Sequence, residues 1–435
     1  MTEQPLEEVI TEKAFAALVG SQAEMFHRLA NTLLARREAW SRQHFFQLIS
    51  EADALEALLD DHGARHNRSF SYLRELVASI RGLALAGFSL SHLERRMDGY
   101  PTVLNRSDLE QAARSVRSSR TFLEQALVRL LEAALREERQ HGIPIPEEQH
   151  YPESRNGGLG PRLILPRNMG QQDLENDEQK VAEMASRFLQ ASNLFEELGA
   201  RRIEDPDERE TWLQRFCTEE RARVFEATVH NLQSAYDTWV KGTGLEAGDE
   251  RLTKLRGHAS AALHLLEAVT HLTHFVERHE SGTRNEESEG RIEGLVRRAD
   301  VREITLNHLL HWASTFMRRG RRLAEDLLPT YTDVRELELD LPDDLYLHAR
   351  PCALIVGVVN RYATPVEMVI EGRKCNASSI LELMIAVGSH PDARRFMFRG
   401  DVNPLRDLEL LFRSGLGEHG AQSLPDALAY LRGGA

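Results

Sequence analysis

The segment Leu347-His348-Ala349-Arg350-Pro351 puts an imidazole, a fixed cation and a helix-starting residue side by side. Neutral imidazole is a good nucleophile at cytoplasmic pH. Proline suits a first helical turn, and the free amides of such a turn point back toward the preceding loop, where they can donate to an oxyanion. A guanidinium two residues after the histidine adds a positive charge that matches phosphate. The chemistry these residues suit is reversible phosphoryl transfer, with His348 accepting the group and Arg350 contacting it.

Other residues of chemical interest read more simply. His264, Glu267, His271 and His274 share one helical stripe, and His308 with His311 repeats a three-residue step. Such spacing can place metal ligands between helices. The apolar stripe Leu265, Val269, Leu272 and Val276 lies nearly opposite, at about 100° per residue, so the histidines are expected on a solvated face or toward another domain, with no metal bound. Cys217 sits in an apolar helical pattern and is expected to be packed. With Cys352 and Cys375 it makes three scattered cysteines, too few for a disulfide framework or a thiolate zinc site, so all are read as reduced thiols. The NGGLGP run, Asn156–Pro161, lacks a preceding strand and a following Lys-Ser/Thr pair, and reads as a loop rather than a phosphate cradle. The pairs Arg201-Arg202, Arg297-Arg298 and Arg318-Arg319 read as solvated faces balanced by nearby acids.

Two periodicities divide the elements that must carry these residues. Up to about Pro329 apolar residues recur every three or four positions, as in Val181, Met184, Phe188, Phe195 and Leu198, and again in Trp212, Phe216, Phe225, Leu232 and Trp239. Helices are expected at roughly 22–60, 68–98, 106–140, 250–280 and 300–327, with another starting near Pro206 behind the N-cap Asp205. The stretch 142–175 is rich in proline and glycine and reads as a linker, and Ser281–Gly290 reads as a second break. From Val334 the period changes to two: Leu337, Leu339 and Leu341 alternate with Glu336, Glu338 and Asp340. The order there is strand, helix, strand, strand, helix, strand, helix. The expected architecture is a helical bundle over 1–141, the linker 142–175, a second bundle over 176–330, and a C-terminal α+β open-faced sandwich over 335–435.

Composition limits the setting. The chain has 435 residues, 28% of them charged, with a formal net charge of −14. A net negative surface argues against nucleic acid as the main partner. No apolar run approaches the roughly 20 residues needed to span a bilayer, and the start MTEQPLEEVITEK lacks the basic-then-apolar order of a secretory signal. A cytoplasmic location is expected. The oligomeric state is left open.

LHARP, followed about 30 residues later by NASSILELM, with matching strand and helix order around them, resembles the histidine-containing phosphocarrier protein HPr of the bacterial phosphoenolpyruvate-dependent sugar phosphotransferase system. The resemblance covers roughly the last fifth of the chain. It implies that His348 is the phosphoacceptor, that Arg350 contacts the phosphoryl group, and that Ala349, Ala353, Ile380, Leu381 and Met384 dock phosphate donors and acceptors. It also implies a regulatory serine at Ser379, although the residue equally suits a helix N-cap. Three positions depart from the family pattern: Tyr346 replaces a usual glycine, Cys352 a common alanine, and Ser378 a basic residue. The function implied is that of a phosphocarrier or phosphorylation sensor without a cofactor. It would be charged by an enzyme I-like donor, and would pass phosphate to a protein target or signal through the helical region. Two alternatives stay open: a scaffold that docks proteins through this domain without phosphate, and an enzyme housed in the helical bundles and regulated by it.

Overall fold

The computed structural model describes residues 9–146, 151–152, 177–278, 286–342, 345–418, 420, 422 and 424–432. Most of the 142–175 stretch, including the NGGLGP run, and the first part of the 281–290 break lie outside them. The remainder of that break, Glu286–Gly290, is helical.

The helical part runs α1 (Glu12–Gln22), α2 (Glu24–Ala35), α3 (Arg42–Asp61), α4 (Ser71–Arg96), α5 (Arg106–Gln140), α6 (Asp177–Leu198), α7 (Pro206–Phe216), α8 (Glu219–Trp239), α9 (Gly244–Gly248), α10 (Glu250–Arg278), α11 (Glu286–Leu295), α12 (Arg298–Glu303) and α13 (His311–Leu327). No strand occurs there among the described residues. The Asp205 side chain accepts from the Glu208 amide at 2.8 Å, capping α7 with Pro206 in its first turn. The 22–60 segment divides into three helices, broken at Ala23 and between Arg36 and Ser41. In the 300–327 segment a π-helical stretch, Ile304–Leu310, separates α12 from α13. Its Asn307 side chain satisfies both backbone groups of Ile203, donating to the carbonyl and accepting from the amide, each at 2.9 Å. That pairing, buried within the fold, supplies a local reason for the widened turn.

The described residues fall into two compact units. Unit 1 comprises Met1–Asn168, Phe195–His230 and Gly257–Arg319, and unit 2 comprises Met169–Leu194, Asn231–Arg256 and Gly320–Ala435. Within unit 1, α4 packs against α3 and α5. By length and composition it is apolar enough to cross a membrane, an exception to the sequence expectation, yet most of it is buried inside the protein. Its Arg74 is 2% exposed and pairs with Glu56, Asp60 and Glu75 at 3.0, 2.7 and 3.2 Å. This is the arrangement of a core helix that keeps a buried charge satisfied.

The C-terminal part of unit 2 follows the expected order: β1 (Val334–Asp340), α14 (Ala349–Tyr362), β2 (Val366–Ile370), β3 (Arg373–Asn376), α15 (Ile380–Ser389), β4 (Arg395–Asp401) and α16 (Val402–Arg413). The four strands pair antiparallel in the order β1-β4-β2-β3. Registers Leu337 to Phe398 and Leu339 to Phe396, with Met368 opposite both Phe398 and Cys375, set one apolar face under the helices. The opposite face carries cross-strand ion pairs, Arg395 with Asp340 at 2.9 Å and Lys374 with Glu367 at 3.0 Å. Glu371 and Gly372, both with positive φ, close the two-residue β2–β3 turn. This is an α+β open-faced sandwich. Beyond α16 the chain continues through short 3₁₀ turns at Gly415–Gly417 and Asp426–Leu431, and Leu416, Leu424, Leu428 and Leu431 enter the same core.

Candidate functional site

α14 buries Cys352, Ile355, Val358, Val359 and Tyr362 at helical spacing, which fixes its orientation over the sheet. Leu347 is buried just before it, so the chain is pinned on both sides of His348. His348 is the extended N-cap residue, with φ −130° and ψ −170°. Its carbonyl accepts from the Cys352 amide at 3.1 Å, and Pro351 has no amide hydrogen to place. The Arg350 amide donates to the imidazole Nδ1 over a long 3.4 Å. The side chain of His348 is 52% exposed, and that of Arg350 is exposed with no ion pair among the described residues.

The other ring nitrogen has a partner that motif reading missed. His348 Nε2 lies 2.9 Å from Glu418 Oε1. With Nδ1 accepting from an amide and Nε2 facing a carboxylate, the hydrogen-bond pattern assigns the proton to Nε2 and leaves the Nδ1 lone pair toward the helix N-terminus. Glu418 follows the 3₁₀ turn Gly415–Gly417, and Leu416 of that turn is fully buried. The only signal in the sequence was a glutamate following a glycine, far too common a pattern to single out.

α15 carries the second group of expected residues. The Ser379 Oγ accepts from the Glu382 amide at 3.3 Å and caps this helix, while the Glu382 side chain accepts from the Asn376 amide at 2.9 Å. Ile380, Leu381 and Met384 are exposed, as are Ala349 and Ala353 on α14, which packs against α15. Ile385, which the sequence did not single out, extends the exposed apolar surface of α15. Tyr346 is also exposed, with the Arg394 guanidinium 4.6 Å from its ring centroid. Burial pushes the thiols of Cys352 and Cys375 up to about 11. Both lie in the domain core.

The remaining candidates lie in unit 1. His264 pairs with Glu267 at 3.0 Å and packs edge-on against the His92 ring at 4.4 Å, while His274 pairs with Glu219 at 2.7 Å. This stripe is therefore half-buried against α4 and α8 rather than openly solvated, because those helices supply polar partners. No group of histidine, cysteine and acidic residues among the described residues has metal-holding geometry. His308 Nδ1 lies 3.2 Å from Ser119 Oγ, and His311 packs edge-on against Trp312. Cys217 is buried and its thiol is pushed up to about 12. The paired arginines are largely engaged: Arg201 with Glu208, Arg297 with Asp300 and Arg298 with Glu293.

No curated protein and no solved structure matches the chain. One family model does, described as the PTS HPr component phosphorylation site, over residues 336–391. The matched span holds His348, Arg350, Ser379 and the exposed apolar side chains of α15, while Glu418 lies beyond it. The helical region has no family match. The C-terminal domain thus resembles the histidine-containing phosphocarrier HPr in its matched residues and in its fold, which supports a phosphocarrier-like module related to the phosphotransferase system.

Proposed function

We propose that this protein accepts a phosphoryl group on His348 from the phosphohistidine of an enzyme I-like donor, and then passes it on or signals through residues 1–330. The observation that carries this reading is the half-exposed His348 ring, with Nδ1 at the start of α14 and Nε2 held by Glu418. In the transfer, a bond forms between Nδ1 and phosphorus as the donor's N–P bond breaks, and the donor imidazole leaves with the electron pair. The Nε2 proton stays where Glu418 accepts it, so no further co-reactant is required. First-turn amides and the Arg350 guanidinium stabilise the oxygens that carry the charge. Positioning and electrostatics supply most of what phosphoryl transfer needs.

Ala349, Ala353, Ile380, Leu381 and Met384 form the proposed docking surface, a small apolar patch suited to partners that must come and go. Ser379 serves in this reading as the cap of α15, and its regulatory modification would require breaking the bond from the Glu382 amide. The donor chemistry implies a cytoplasmic setting. Incubation of the full chain with phosphoenolpyruvate and a bacterial enzyme I is expected to label it with an acid-labile phosphoryl group, and His348→Ala to abolish the label. An unlabelled wild-type protein with an active donor overturns the carrier reading and leaves the docking scaffold and the regulated helical enzyme.

A further inference from the structure

The four residues that lead into α14 alternate between core and solvent. Leu345 packs against the core of the sandwich and Leu347 is buried in it, while Tyr346 and His348 are exposed. With a two-residue period the outward side chains fall on one side of the chain, their Cα atoms about 7 Å apart. The Tyr346 ring therefore stands on the same side as the His348 imidazole, one outward position before it. It is 61% exposed.

An exposed aromatic ring is ordinarily free to swing aside when another surface approaches. This one is held. The Arg394 guanidinium lies 4.6 Å from the ring centroid, and its Nη1 donates to the carbonyl of Leu345 at 2.6 Å and to that of Pro342 at 3.3 Å. The backbone of Arg394 is fixed as well, because its carbonyl accepts from the Leu341 amide at 2.7 Å, one residue before β4 begins. Carbonyls of the chain that carries Tyr346 thus orient the cation, and the cation stacked on the ring restrains it. What stays exposed is a phenol beside the nucleophile with little freedom to retreat. A rigid bulky group on a contact surface discriminates between partners by clash as much as by attraction. An aromatic anchor adds to binding only where the partner has a pocket for it.

We infer that Tyr346 is a specificity-determining residue, a fixed wall beside His348 that admits donor proteins with a recess for its ring and excludes donors that close flat over the imidazole. This role rests on His348 being the phosphoacceptor. The test uses the full chain and an enzyme I whose own carrier has glycine at the position of Tyr346, a donor surface with no ring to accommodate. At limiting enzyme I, Tyr346→Ala is expected to be labelled about tenfold faster than wild type. The gain should come through a lower half-saturating donor concentration rather than a higher maximal rate. Alanine rather than glycine avoids adding backbone freedom next to the site. Tyr346→Phe keeps the ring and should match wild type. Phosphoramidate, a small phosphoryl donor with no surface to dock, should show no comparable gain. Equal or slower labelling of Tyr346→Ala by enzyme I overturns the assignment and leaves the carrier reading standing. An equal gain with phosphoramidate also overturns it, since the ring would then shield His348 from every donor alike. Labelling of neither protein by an active enzyme I overturns both.

Discussion

At the scale of the residue, the site divides one imidazole between two environments. Nδ1 meets a backbone amide and Nε2 a carboxylate, so the ring is presented in the tautomer whose lone pair points at the helix start. The placement of His348 and Arg350 at the start of α14 was legible because it depends on immediate neighbours and on a proline that begins a helix. Glu418 was not, since it stands 70 residues away and reaches the ring only after the tail has packed. Glu418 acts here as a positioning residue, and its removal should show in the ring before it shows in the fold. Glu418→Ala is expected to raise the share of the Nδ1–H tautomer in ¹⁵N spectra of His348 and to slow labelling by enzyme I about tenfold or more. The unfolding free energy should change by less than about 0.5 kcal/mol, as for other surface substitutions. An unchanged tautomer ratio would remove Glu418 from the account.

At the scale of the element, α14 and α15 followed from period and capping, whereas the tail after α16 did not. Leu416, Leu424, Leu428 and Leu431 are buried; the last three have the four- and three-residue spacing of a helix, but the chain there forms only a short 3₁₀ turn behind Pro425, too short a stretch for the period to mark an element. The π-helical stretch hid inside a continuous helical pattern because its cause is Asn307 gripping Ile203, a contact between distant segments. The tail depends on Gly417, where φ is +69° and an added Cβ would lie 2.7 Å from Leu354 Cδ1. Gly417→Ala should therefore destabilise the tail by about 1–2 kcal/mol. Faster amide hydrogen exchange over 415–431 and slower labelling of His348 are the expected readouts. Unchanged exchange would show that the tail tolerates the side chain.

At the scale of the whole molecule, the change from a helical to a two-residue period marked the start of the C-terminal sandwich. The make-up of the two units was not readable in that way, because their bounds fall inside α6, α8, α10 and α13. Periodicity shows that a helix has an apolar face but not which neighbours cover each end of it. Unit 1 also carries a pH dependence. His258 is fully buried, its Nε2 accepts from the Val103 amide, and Nδ1 lies 2.7 Å from the Phe316 carbonyl; burial pulls it from 6.5 down to about 4. His92, His271 and His311 are lowered to about 4 as well, burial again the largest cause. The unfolded chain takes up these protons first, so stability is complete above about pH 6.5 and falls as pH drops toward 4, with His258 alone contributing about 3 kcal/mol. Urea midpoints should fall steadily across that window, and a flat profile would contradict the buried neutral histidines. The central claim concerns His348, and ³¹P and ¹⁵N NMR of the full chain after treatment with enzyme I and phosphoenolpyruvate tests it most directly. The account predicts one phosphohistidine, at His348 and bonded through Nδ1; no phosphohistidine, or one at Nε2 or on another residue, would contradict it.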